Sequence, residues 1–505
     1  MGCIIAPREI LPLPPWRTSR TERLADPRAA RGAEISMEQQ ERTGLDRFLS
    51  LTLRLWSAAT ALFVVVNGTL LAVKGAEVFS SLVQVGPVSG LKLTYSAVGL
   101  VWLGSGLVLA LLRRPAFRAR YGLVALCSFL VLALYANVLR ERSEYPDAGD
   151  YMRAAFDLSE GRPLHERYIY PPLLAAACEL LVPLGRGGMR TGLWIGNVLA
   201  VSAFAGLLSL TLVRYGFERR VSACLVLAFM TVNVPVLRTL VYGQVNLHVA
   251  NLLLLALLAY PRFPVWSALA LALAVHLKSS PVVLVLPFVT ERNGRFTAAF
   301  VAWLGAVAAA IYAVHGVQPF LDFLHNARGV YAWTDLSFRE NSIDSFLRST
   351  GAVLGGPFGL VAQPWVRLLA KASVLATALA VAGVAIRRGA FVSQGRPGSD
   401  VLNAWPALAV LMVLASPLVW EHHPVFVALP FLVITRRLQA PGEWAAFSLA
   451  YLVVFLLPTF DFYPWSFGRL AGLLVLLALL YRTSARDRDG DVFRLVQERL
   501  GPRAA

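Results

Sequence analysis

Asp147 and Asp150 stand three positions apart in the stretch YPDAGDYMRAAFDLSEGRPLHERYIYPPLL (145–174), between two strongly apolar runs. On a helix that spacing puts both carboxylates on one face. A carboxylate held within hydrogen-bond reach of a hydroxyl can act as a general base. Two acids in a solvated loop need no such task, and the pattern alone leaves both readings open. Farther on, Gln244, Asn246, His248 and Asn251 punctuate the start of the apolar run GQVNLHVANLLLL. Polar groups at that depth face either a cavity or a partner helix. Lys278 lies near the middle of a third run, LALAVHLKSSPVVLVLPF, with His276 two residues before it. A buried ammonium there needs an anionic partner or a watered route. Positions two apart on a helix point about 200° apart, so His276 and Lys278 reach one cavity only where the helix breaks. Ser279-Ser280-Pro281 offers that break. The anion that suits Lys278 is a phosphate on a lipid carrier or substrate. The alternative is a buried acid, of which Glu179 is one.

Two further groups are candidates for holding an anion. Arg339 and Arg348 flank Glu340, Asn341, Ser342 and Asp344, and guanidinium groups grip anions in a bidentate way. A solvated loop explains them as well. His422 and His423 stand together in SPLVWEHHPVF. Imidazoles can hydrogen-bond a phosphate or a sugar hydroxyl. No third ligand accompanies the pair, so no metal site is expected there, and no cofactor is expected anywhere in the chain.

The elements that must position these side chains are membrane helices. The chain has 505 residues, of which 57% are hydrophobic and 15% charged. Its mean hydropathy is +0.60. Apolar runs of roughly 17–25 residues recur from end to end, each able to cross a hydrocarbon core of about 30 Å. In lipid the backbone must satisfy its own hydrogen bonds, so the runs are helices. The expectation is an all-α, polytopic helical bundle of about 12–14 spans. The runs are 51–73, 93–112, 121–139, 170–184, 191–213, 219–237, 245–260, 264–290, 297–315, 366–387, 403–419, 424–435, 443–459 and 466–481. Tyr170-Pro171-Pro172 opens one of them, since proline loses no hydrogen bond in a first helical turn. The formal charge of +17 does not indicate nucleic-acid binding. The basic residues cluster at the ends of apolar runs and form no separate basic face, which is the positive-inside pattern. The four cysteines show no CxxC spacing and read as small core residues.

Basic segments set the expected orientation. With both termini cytoplasmic, 113–122, 291–295, 386–396, 435–439 and the C-terminal tail fall inside, whereas RYGFERR at 214–220 falls outside and disagrees. The polar loops 140–169, 316–365, 420–424 and 461–465 fall on the outer face, and 316–365 carries amphipathic segments suited to an interface. Residues 1–50 read as a disordered basic cytoplasmic tail, 51–484 as the transmembrane domain and 485–505 as a second cytoplasmic tail. Residue usage points to a bacterial plasma membrane.

The order of these signals resembles glycosyltransferase family 87, polytopic enzymes of the GT-C fold. The resemblance rests on Asp147, Tyr151, Gly161 and Tyr170-Pro171-Pro172, then Gly243, Gln244 and Asn246. Lys278 follows late in an alanine- and leucine-rich run, and then Ser416, Pro417, Trp420, His422 and His423. It spans about residues 121–435. Two helices ahead of the Asp147 loop, and Glu421 ahead of the His pair, depart from the family pattern. The resemblance implies a polyprenyl-phosphate sugar donor, mannose in particular or else arabinofuranose, and a lipid or glycan acceptor on the outer face. It implies an inverting transfer in which Asp147 is the base, with Asp150 as its rival. Lys278, His422, His423, Arg339 and Arg348 would hold the donor phosphate. Tyr151, Tyr170, Gln244, Asn246 and Asn341 would line the substrate cavity. Membrane lipids are then the remaining partners. The competing reading is a transporter or flippase of lipid-linked saccharides, which would need the intramembrane polar groups but no base.

Overall fold

The computed structural model describes residue 39 and residues 42–62, 64–65, 68–69, 72, 96–141, 146–231, 233–332, 340–388, 391–392, 398–457 and 463–484. Among the described residues the chain is helical throughout, with no strand. Residues 1–38 of the expected 1–50 tail, the tail 485–505 and the candidate Arg339 lie outside the described residues, whereas residues 42–50 are not a disordered tail but helix, with Leu45, Phe48 and Leu49 buried. Four helices are long and apolar enough to cross a membrane on length and composition alone: Val182–Arg214, Gly294–His315, Pro364–Arg388 and Trp465–Ser484. A fifth forms if the bent pair Arg219–Thr231 and Val234–Tyr242 counts as one span. The expected runs at 93–112, 121–139, 245–260, 264–290, 403–419, 424–435 and 443–459 appear as shorter apolar helices of 10–17 residues.

Taken in chain order the helices are α1 (42–62), α2 (Ser96–Leu112), α3 (Pro115–Arg118), α4 (Tyr121–Glu141) and α5 (Pro146–Ser159). Next come α6 (Pro172–Glu179), α7 (Gly185–Arg214), α8 (Arg219–Thr231), α9 (Val234–Tyr242), α10 (Asn246–Ala259) and α11 (Pro264–Leu277). A 3-10 turn, Ser280–Val285, leads into α12 (Leu286–Thr290), and α13 is Gly294–His315. The rest are α14 (Gln318–Ala332), α15 (Ile343–Leu354), α16 (Pro364–Arg388), α17 (Ser399–Ala415), α18 (Ala428–Ile434), α19 (Pro441–Tyr451) and α20 (Gly468–Ser484). α17 is buried on every side from Val401 to Leu414 and lies inside the bundle. A helix apolar all round belongs at such a centre. α13 and α16 bury only three residues each, as helices that face lipid do.

Two of the expected spans do not cross. The run 170–184 yields only the eight residues of α6 and a short 3-10 turn. Eight residues advance about 12 Å, far short of a hydrocarbon core. The chain then returns to α5, where Arg186 lies over the Phe156 ring at 5.6 Å. The run 264–290 is a hairpin. It starts after Tyr260 and ends at Glu291, and the Tyr260 hydroxyl donates to the Glu291 carboxylate. The Asn293 amide donates to the same hydroxyl at 3.1 Å. Lys278 stands at the tip with an extended backbone (φ −156°, ψ 125°), so the break expected at Ser279-Ser280-Pro281 is present.

These two corrections remove the disagreement over RYGFERR. Arg220 lies over the Tyr121 ring at 4.4 Å and Arg118 pairs with Asp46 at 2.5 Å. Arg214 donates to the Leu258 carbonyl at 2.8 Å, and Arg436 to the Tyr215 carbonyl at 3.3 Å. Arg388 lies over Tyr481, and Arg482 pairs with Glu443 at 3.1 Å. These basic segments therefore gather at one end of the bundle, while Arg153, Arg162, Arg186 and Arg190 lie beside α5 at the other. An alternating count over all the expected runs would have put residues 243–246 at that basic end. The structure puts them at the other end, beside Asp147.

Candidate active site

Five stretches of chain meet at the end of the bundle opposite the basic segments: α5, residues 168–170, the α9–α10 turn, the tip at Lys278 and the 416–423 turn. α5 begins with Pro146 and carries Asp147 in its first turn, where a carboxylate suits the positive end of the helix dipole. Gly243 closes α9 in the left-handed region (φ 67°), which glycine adopts without strain. That turn aims Gln244 at α5. Its amide nitrogen donates to the Asp147 carboxylate. Its Oε1 accepts from the Tyr151 and Tyr170 hydroxyls, each at 3.1 Å. The two tyrosine rings meet edge to face at 5.1 Å. Gln244 thus presents donors to the acid and is itself fixed by two phenols, so its orientation is set. Four of the expected residues, Asp147, Tyr151, Tyr170 and Gln244, form one network.

Burial pushes the Asp147 carboxyl up to about 6. The Gln244 hydrogen bond and the Lys278 charge oppose that shift, and the Asp150 charge adds to it. Asp150 lies on the same helix, on its more open flank, 3.5 Å from His165 Nε2.

The second half of the site is cationic. Lys278 Nζ donates to Asn246 Oδ1 at 2.9 Å and lies 2.7 Å from His423 Nε2. It has no carboxylate within ion-pair distance among the described residues. Glu179, the acid that could have paired with it, is bound to His315 at 3.0 Å instead. His276 does not join Lys278. Its Nε2 turns to the Leu304 carbonyl at 3.0 Å, on α13. The backbone N–H of Trp420 donates to His423 Nδ1 at 2.7 Å. A neutral ring that accepts at Nδ1 carries its proton on Nε2. Lys278 and His423 therefore converge as donors, an arrangement that an incoming anion relieves. His422 stacks near His423, with ring centres 4.7 Å apart, and is buried.

Two residues of this cluster were not among the expected site residues. Arg238 on α9 pairs with the Glu421 carboxylate, and Arg469 at the start of α20 lies 3.5 Å from it. All three side chains are buried. The signal was present in the sequence, since each arginine interrupts an apolar stretch, VPVLRTLVY and FGRLAGLLV. Glu421, a departure from the family pattern, is thus a counter-ion that anchors the His422–His423 turn. Removing the charge from one partner of a buried ion cluster costs about 3–5 kcal/mol. Glu421→Gln is expected to lower the thermal transition of the detergent-solubilised protein markedly. A transition unchanged from wild type would refute the anchoring role.

The remaining candidates are placed as follows. The Asn341 backbone N–H donates to the Val419 carbonyl at 2.6 Å, which brings the 340–342 segment to the histidine turn. Arg348 faces Glu340, and no contact among the described residues joins it to Lys278 or His423. Glu340 itself is buried, and burial pushes its carboxyl up to about 7. Among the described residues no three of His, Cys, Asp and Glu are grouped to hold a metal ion.

The sequence model for Glycosyltransferase family 87 matches residues 168–417. The matched stretch contains Tyr170, Gln244, Asn246, Lys278 and Asn341; it begins after Asp147 and ends before His422. No curated protein matches the chain.

Proposed function

The chain belongs to glycosyltransferase family 87 and is a glycosyltransferase built of membrane helices, and we propose that it draws its sugar, mannose in particular, from a polyprenyl-phosphate donor. The acceptor is a lipid or glycan on the outer face of a bacterial plasma membrane, where both termini are cytoplasmic and the Asp147 end faces out. The collection of basic segments at the other end supports this orientation.

In this reading Asp147 takes the proton of the acceptor hydroxyl as its oxygen attacks the anomeric carbon. The bond from that carbon to the phosphate oxygen breaks in the same step, and the configuration inverts. The leaving group is already an anionic phosphate and needs no protonating acid. It needs cations where its charge grows. Lys278 and His423, with His422 behind them, supply those, while Gln244, Tyr151 and Tyr170 orient the base. One observation carries the proposal: a half-buried carboxylate and an ammonium without a carboxylate partner share one cluster in a sugar-transferring family. A flippase would use the cation but has no task for the carboxylate.

The pH dependence follows from Asp147. A carboxyl raised to about 6 is protonated below that value and cannot accept a proton. kcat/KM for sugar transfer is therefore expected to be flat above pH 7 and to fall tenfold per unit below about 6. Asp150→Asn removes a nearby negative charge and should move that acid limb lower. Transfer measured from radiolabelled polyprenyl-phosphate mannose in proteoliposomes checks both. A profile flat through pH 5 would exclude Asp147 as the base.

A further inference from the structure

Between the end of α5 and the start of α6 the chain has no helix to satisfy its own backbone. Gly161 turns it back with φ 66°, and residues 162–171 run in irregular form to Pro172. The polar backbone groups of such a segment must find partners elsewhere. One helix of the second outer loop, α14, supplies them. The Leu164 N–H donates to Asp322 Oδ2 at 2.8 Å, and the Gln318 amide donates to Asp322 Oδ1 at 2.7 Å and steadies it. Asn326 Nδ2 donates to two carbonyls at once, those of His165 and Tyr168, each at 3.0 Å. α14 is turned inside out for a surface helix. Asp322 and Asn326 face the protein, while Val317, Leu321 and Leu324 are exposed, as on a helix that lies against lipid. Asn326 is 6% exposed, so its amide serves the two carbonyls and not solvent.

The gripped segment carries one end of the Asp147 network. Two residues after Tyr168, the Tyr170 hydroxyl donates to Gln244 Oε1, and the Gln244 amide donates to Asp147. Tyr168 makes the link stiff. Its ring is fully buried and lies 5.9 Å from the Tyr170 ring. Its hydroxyl donates to the Pro171 carbonyl at 3.1 Å and accepts from the Ala175 N–H at 2.8 Å. Tyr170 is therefore flanked by a fixed residue on each side. His165, whose carbonyl is the other one held by Asn326, faces Asp150 and Asp157 of α5 at 3.5 and 3.1 Å.

We infer that Asn326 is a positioning residue for sugar transfer: from the second outer loop it fixes the 165–168 carbonyls, and through Tyr170 and Gln244 it sets the direction of the Asp147 carboxylate. The inference rests on the reading of Asp147 as the base. The first outer loop then carries the base, and the second keeps it aimed.

The test is a double-substitution cycle in proteoliposomes, read as transfer from radiolabelled polyprenyl-phosphate mannose. Asn326→Ala and Tyr170→Phe should each lower kcat about tenfold, the rate equivalent of one hydrogen bond, with donor KM unchanged. If Asn326 acts through Tyr170, the double variant loses no more than the larger single loss. Independent residues would multiply to about a hundredfold, and that result overturns the inference. The pH profile is a second readout. The Gln244 amide favours the charged form of Asp147, so loosening it raises the carboxyl, and the acid limb near 6 should move to higher pH in Asn326→Ala. An asparagine that served the fold alone would lower the thermal transition and the amount of active enzyme but leave the limb in place, which also sinks the inference. Asn326→Asp sets a carboxylate against two carbonyls and should be slower than Asn326→Ala; wild-type activity in it would overturn the inference. Amide hydrogen exchange on the full chain separates the positioning from the reaction. Asn326→Ala should speed exchange in 162–171 and in 242–246, the turn that carries Gln244, and leave α13 unchanged. Faster exchange confined to 162–168 would show that the grip ends short of Tyr170. If the wild type transfers no sugar, the transferase reading falls, and the exchange pattern still decides whether Asn326 sets the Asp147 network.

Discussion

Asp147→Asn is expected to lower kcat for sugar transfer by about 10²–10⁴, the range for loss of a positioned general base. The substitution is close to silent structurally. The asparagine oxygen can still accept from the Gln244 amide, so the network through Tyr151 and Tyr170 persists. Donor KM should stay within a factor of a few, because the proposed reaction places the donor phosphate on the Lys278 side. Asp150→Asn should cost much less, since Asp150 faces His165 on the open flank. The measurement is initial-rate transfer from polyprenyl-phosphate mannose by each variant, with the thermal transition as a fold control. An active Asp147→Asn beside an inactive Asp150→Asn would exchange their roles. Full activity in both, with saccharide lipid crossing the bilayer, would favour the flippase.

Lys278→Met should act on both donor binding and rate. Removing one preorganised donor from a site where charge develops costs about 10²–10³ in kcat. Methionine keeps the length of the side chain, so the hairpin tip is not emptied. The lost group is the ammonium that meets Asn246 and His423. Donor KM should rise as well, since the cation also attracts the ground-state phosphate. Asn246→Ala offers a comparison: it removes the acceptor that orients Lys278 and leaves the charge in place. A Lys278→Met enzyme with wild-type kcat and donor KM would remove Lys278 from the phosphate site. Transfer in each case is measured across donor concentrations at pH 7.5.

The helices were legible because lipid leaves the backbone no alternative, and the polar residues were legible because each interrupts an apolar run. Asp147, Gln244, Asn246, Lys278 and His423 are gathered as the motif order suggested. Crossing or returning was not legible. A run of apolar residues looks the same whether it spans or folds back, and the difference at 170–184 and 264–290 lies in contacts such as Arg186 on Phe156 and Tyr260 with Glu291. Arg238 and Arg469 were visible yet unread, because their shared partner Glu421 is distant in sequence. The pairing of Glu179 with His315, which leaves Lys278 without an acid, could come only from the fold.

The hairpin that ends at Lys278 also fixes something about how the chain is made. Each leg is too short to span a bilayer, and a lysine at depth costs about 2.5–3.5 kcal/mol on insertion scales. Neither leg can be stitched into the membrane as an independent unit. The long helices on either side, α7 and α13, can enter one at a time during synthesis. The 264–290 segment must then be drawn in between α10 and α13, its immediate neighbours. The Lys278 ammonium is therefore carried to its place beside Asn246 and His423 by tertiary assembly and not by independent insertion.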